Sequence, residues 1–122
     1  MDPKAVFDEL RGPTRSLRSV QQETWAGFAQ MHDAAMADGV LPRSVKELIA
    51  LAIAVSKGCD GCIASHARGA ARHGATPEQV AEMLSVTVLM NGGPGTVYAP
   101  RAWEAYQSFA EGAAGSGPAT SA

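Results

Sequence analysis

"LIALAIAV", residues 48–55, is the stretch on which the fold turns. Eight apolar residues in a row suit either a strand buried on both faces or a helix buried all round. The length of the surrounding segment, its alanines and the absence of any strand partner elsewhere favour a helix. That helix is placed over Ser44–Ser56 and closed by Gly58. With this choice the chain reads as all-α.

Working towards the N-terminus, Leu17, Val20, Trp25, Phe28, Met31 and Ala35 recur at helical spacing and predict one long helix from Thr14 to Ala37. Asp38-Gly39 closes it, with glycine at the C-cap. A short helix over Pro3–Leu10 is expected before it, ended by Gly12-Pro13. Towards the C-terminus a helix begins near Asp60 and runs to His73, with Gly74 after it. "ATPEQVAEML" follows, in which Thr76 is an N-cap, Pro77 the first helical residue and Gln79 the partner in a capping box. Its apolar stripe is Val80, Met83, Leu84 and Val88. "NGGPG", 91–95, is the strongest breaker in the chain. A last helix is placed over Tyr98–Glu111, with Trp103, Tyr106 and Phe109 along one side. Residues 1–111 thus form a single domain of five or six helices, and "GAAGSGPATSA", 112–122, is expected to be a disordered tail.

At 122 residues the chain can bury a core with little surplus, so burial against a second subunit is expected. Only 18% of residues are charged, below the roughly 25% of ordinary soluble domains. A net charge of -2 without a basic and aromatic stripe speaks against nucleic acid as the main partner. The acidic N-terminus does not read as a signal peptide, and no run of about 18 apolar residues is present to span a membrane. A cytoplasmic protein is the expectation. In that compartment a C-x-x-C pair more often does catalysis or binds metal than staples a fold.

Both cysteines and one of the three histidines fall in "SKGCDGCIASH", 56–66. Three readings compete. Cys59, Cys62, His66 and His73 could be zinc ligands. The two histidines, however, are separated by about 10.5 Å of helical rise, too far for one tetrahedral ion to gather easily. The cysteines could be inert small hydrophobes, although such a role requires neither their spacing nor a helix start. Or they could be redox-active. Cys59 precedes the helix and Cys62 lies in its first turn, where unpaired N–H groups and the helix dipole favour a thiolate. His66, four residues beyond Cys62, shares its helix face and can exchange its proton.

Extended to Glu47, the pattern becomes E-x11-C-x2-C-x3-H within "KELIALAIAVSKGCDGCIASHARGAARHGATPEQVAEML". This resembles the alkylhydroperoxidase D-like (AhpD-like) branch of the carboxymuconolactone decarboxylase family, over roughly Leu41 to Gly92. The resemblance implies a compact all-α fold assembling into a homotrimer or homohexamer. It implies peroxidase and disulfide-reductase chemistry, with Cys62 as peroxidatic nucleophile, Cys59 as resolving thiol, and Glu47 and His66 as a proton relay. It further implies no permanently bound cofactor, a hydroperoxide substrate, and electrons from a dithiol such as a lipoyl-bearing or thioredoxin-like protein. Some members carry histidine or an aromatic residue before the second cysteine, where this chain has Gly61. The decarboxylase branch lacks the C-x-x-C pair. Two alternatives stand beside the peroxidase: a cofactor-free decarboxylase or related lyase acting through His66, and a non-enzymatic redox-sensing oligomer.

Locally, "SVKE" also reads as a capping box, with Ser44 as N-cap and Glu47 as its partner. His73 suits a helix C-terminus, and His32, beside the apolar face of its helix, is read as a partly buried structural histidine. Tyr98, after the glycine breaker, is a candidate pocket residue.

Overall fold

Six helices follow one another in a computed structural model that describes residues 1–115: α1 (Pro3–Val20), α2 (Gln22–Met36), α3 (Arg43–Lys57), α4 (Asp60–Arg72), α5 (Pro77–Asn91) and α6 (Gly93–Gly115). No strand occurs among these residues. "LIALAIAV" lies inside α3, and its helix ends on Gly58 in the left-handed conformation, φ 62° and ψ 39°. The ring of Tyr98 lies 3.1 Å from where a Cβ on Gly58 would stand, so the turn is held from outside as well as by its own geometry. This is where Tyr98 is used, rather than in the groove described below.

Alanine sets the packing of the centre. Ala64, Ala67 and Ala70 of α4 are fully buried, as are Ala102 and Ala105 of α6. Such small side chains let two helices approach closely. Leu51 and Val55 of α3, Ile63 of α4, Val80 and Leu84 of α5 and Tyr106 of α6 complete one continuous core. α5 and α6 form a tight hairpin at Gly92, whose φ is 63°. A Cβ on Gly95 would come within 2.9 Å of the Thr87 carbonyl oxygen.

Four expectations need correction. α3 is not buried all round: Leu51, Ala54 and Val55 face the core, but Ile49 and Ile53 are 46% and 51% exposed. The Gly12-Pro13 pair does not end a helix, because α1 runs through it to Val20. A proline inside a helix forfeits one backbone bond and crowds the preceding turn, which packing of α1 on α4 here outweighs. The Thr14–Ala37 helix is instead broken at Gln21, where no glycine or proline stands. α1 lies against α4 while α2 turns towards α3, and that change of partner places the break. Finally, Pro94 does not delay α6, which starts at Gly93 and reaches Gly115. Proline is tolerated in the first turn, where its missing N–H would have no partner. The first four residues of the expected tail are therefore helical, and 116–122 lie outside the described residues.

Candidate active site

α4 begins at the site. Cys59 is its N-cap, and the Cys59 sulfur accepts a hydrogen bond from the Cys62 backbone N–H at 3.2 Å. The two cysteines are joined as a disulfide with a Cα–Cα separation of 5.2 Å. Gly58 ends α3 and Cys59 caps α4, so the pair spans from a junction of just two residues into the first turn of α4, between helices that pack together. Cys62 is exposed and Cys59 partly buried. One helical turn further, the His66 ring nitrogen Nδ1 lies 2.8 Å from Glu47 Oε1.

Glu47 is 1% exposed, in the interior of α3. A buried carboxylate requires partners, and it has two: His66 and Arg43, whose Nε donates to Oε2 at 2.8 Å. Gly69, on α4, makes room for it, because a Cβ there would overlap the carboxylate itself. The capping-box reading of Glu47 is overturned. The N-cap of α3 is Pro42, and the nearby Asp38 carboxylate accepts from the Arg43 N–H at 2.6 Å. Glu47 points instead across the α3–α4 interface.

The Glu47 contact orients the imidazole. A carboxylate can only accept, so Nδ1 carries the proton towards Glu47 and Nε2 is left to exchange protons. Cys59, Cys62 and His66 line one groove of about 570 Å³, which α1 and α2 close on the other side with Phe7, Leu10, Phe28 and His32. His32 stacks on His66 with ring centroids 6.5 Å apart. It belongs to the site, which the structural reading of His32 missed. Gly61 also lines the groove, and a Cβ there would stand 3.3 Å from Leu10 Cδ1. α1 thus occupies the space where a larger residue before the second cysteine would project.

The groove also carries arginines from α1 and α4. Arg68 stacks over Phe7 at 4.4 Å from the ring centroid. Burial, and after it the charge of Arg72, holds the Arg68 guanidinium below its ordinary value, a position from which it still carries its charge near neutrality. His73 caps the far end of α4, exposed and outside the groove. Among the described residues no three His, Cys, Asp or Glu side chains are grouped as a metal ion would need. α3 contributes Arg43, its first residue, and α2 contributes His32. Arg43 was legible in principle as the i,i+4 partner of Glu47, whereas His32 depended on where α2 folds.

Known proteins resemble this chain in sequence and in fold. Residues 22–105 match the Carboxymuconolactone decarboxylase family. An uncharacterised protein of Cupriavidus necator is 45% identical over 101 residues, covering 83% of this chain and 89% of the relative. An uncharacterised protein from the cox locus of Paracoccus denitrificans is 39% identical over 75 residues, 62% of this chain and 68% of that one. The crystal structure of an apo carboxymuconolactone decarboxylase family protein from Legionella pneumophila superposes with a TM-score of 0.84 at 36% identity, covering 88% of this chain and 96% of that one. The helical fold, the matched residues and these relatives agree, and the C-x-x-C pair is consistent with the AhpD-like branch: the chain belongs to the carboxymuconolactone decarboxylase family.

Proposed function

We propose that the protein is a thiol-dependent hydroperoxidase and disulfide reductase, working through Cys62, Cys59, His66 and Glu47 and assembling as a homotrimer or homohexamer. The observation that supports this reading above the others is the C-x-x-C pair at the start of α4, sharing one groove with an imidazole whose other nitrogen is held by a buried carboxylate.

The cycle starts from the dithiol. His66 takes the Cys62 proton through Nε2, and the imidazolium is stabilised by Glu47. The Cys62 thiolate attacks the distal peroxide oxygen, and the O–O bond breaks. The alkoxide leaves with both electrons of that bond and takes the proton back from His66 as alcohol, while Cys62 becomes a sulfenic acid. The Cys59 thiol condenses with it, forming the disulfide and releasing water. An external dithiol then reduces the pair by thiol–disulfide exchange and departs as its own disulfide. The net change is one hydroperoxide and one dithiol to alcohol, water and disulfide. The external dithiol is expected to be a lipoyl-bearing or thioredoxin-like protein.

The test is hydroperoxide consumption with a dithiol reductant. Cys62→Ser should abolish turnover. Cys59→Ser should still be oxidised once, leaving a sulfenic acid that a dimedone probe labels at Cys62. Full turnover by Cys62→Ser would sink the assignment. Activity on a lactone acid that survives alkylation of both cysteines would favour the lyase, and stoichiometric oxidation without turnover would favour a sensor.

A further inference from the structure

The groove beside the disulfide is lined by both cationic and apolar side chains. Arg11, Arg15 and Arg18 of α1 line it, with Arg68 of α4, and no aspartate or glutamate does. Positions 11, 15 and 18 are i, i+4 and i+7, a single helix face extending about 10 Å along the axis. Arg11 is paired with Asp8 at 2.8 Å. Among the described residues, Arg15, Arg18 and Arg68 form no salt bridge. Like charges gathered without counter-charges repel one another, and an anion relieves that repulsion. Its apolar side chains are Phe7, Leu10 and Phe28; Arg68 covers the Phe7 ring, whereas Phe28 is 62% and Leu10 43% exposed. The volume of about 570 Å³ is that of a small-molecule site.

We propose that this groove binds an amphipathic carboxylate, its acid end on Arg15 and Arg18 and its chain on Leu10 and Phe28, and that the oxidant is accordingly an anionic long-chain hydroperoxide. The second half rests on the peroxidase reading; the binding half does not. Guanidinium forks match a carboxylate in two parallel hydrogen bonds, and the aromatic and leucine side chains take an aliphatic tail out of water. Leu10 Cδ1 stands 3.3 Å from where a Cβ on Gly61 would be, so a chain on Leu10 runs beside the Cys59–Cys62 pair, within whose reach its peroxide group would fall. The reaction is unchanged in its balance: Cys62 takes the distal oxygen, the product is the hydroxy acid, and the carboxylate does not react.

Two measurements test it. In the first, kcat/KM is compared for a long-chain hydroperoxy acid and its methyl ester, with a common dithiol reductant and at low and high salt. The acid should be preferred by about tenfold or more, less so at high salt, and Arg15→Gln/Arg18→Gln should reduce the acid-to-ester ratio by a similar factor. Arg101→Gln, on α6 beside Tyr98, should leave the ratio as it is. Equal turnover of acid and ester overturns the proposal. In the second, dodecanoate and dodecanol are titrated into the oxidised protein and binding is read by calorimetry. Dodecanoate binding that weakens in the arginine variant upholds the site even if no hydroperoxide is turned over, in which case only the peroxidase reading falls. Dodecanoate binding no tighter than dodecanol overturns the proposal whatever the turnover.

Discussion

Gly69 decides whether Glu47 can be where it is. The carboxylate fills the volume that a Cβ on Gly69 would take, so the group that must yield to one is the end of the Glu47 side chain itself. Gly69→Ala is therefore expected to push Glu47 off His66. Overpacking of this kind costs about 1–3 kcal/mol, which a urea melt will read. Turnover should fall further than stability accounts for, because His66 loses the group that orients it. A variant as active as wild type would mean that the Glu47–His66 contact is dispensable. The four residues given roles here were legible in the sequence because they lie on α3 and α4, joined by a short turn, so their spacing along the chain survives as proximity in space. His32, Phe7 and the arginines of α1 were not. They reach the groove from helices separated from it by more than twenty residues, and no local pattern encodes where those helices lie.

Helix ends show the same division between local and tertiary control. The Thr76 capping box is present as the sequence predicts, with Gln79 N–H donating to Thr76 Oγ1 at 3.1 Å and Thr76 N–H to Gln79 Oε1 at 3.0 Å. Thr76→Ala should cost about 1 kcal/mol in a denaturant melt. The start of α3 and the break at Gln21 were misplaced because Asp38 and the change of packing partner act from outside the local sequence. Tyr106 ties α6 to the α4–α5 turn: its hydroxyl donates to the Ala75 carbonyl oxygen at 2.6 Å. Burial, and secondly the charge of Glu78, raises its pKa above the ordinary 10.0. The neutral phenol is thus the form the fold prefers. Its contribution is fully present below about pH 10 and is lost as pH rises through the higher folded value. Tyr106→Phe should cost about 1 kcal/mol at neutral pH and flatten the alkaline part of the stability curve. A variant whose stability falls just as steeply above pH 10 would show that another group governs that limb.

At the scale of the whole molecule, three helices carry large apolar side chains on the described surface. Met31 of α2, Ile49 and Ile53 of α3, and Val86, Leu89 and Met90 of α5 are all between 46% and 79% exposed. α3 and α5 are side by side, joined at their C-terminal ends by Asn91 Nδ2 donating to Ser56 Oγ at 3.0 Å. A contiguous apolar patch is the usual mark of an interaction surface, and a chain of this length gains from burying one. The sequence hinted at this through its low charge, but it could not divide "LIALAIAV" into a core side and a free side, since both are equally apolar. If identical copies cover the free side, sedimentation should give a mass at a multiple of three protomers and a melting temperature that rises with protein concentration. Ile53→Lys with Leu89→Lys places two charges in that surface at residues that do not line the groove. It should lower the mass while helical circular dichroism is kept. A wild-type protein that sediments as a monomer at micromolar concentration would overturn the assembly and leave this apolar surface to another partner.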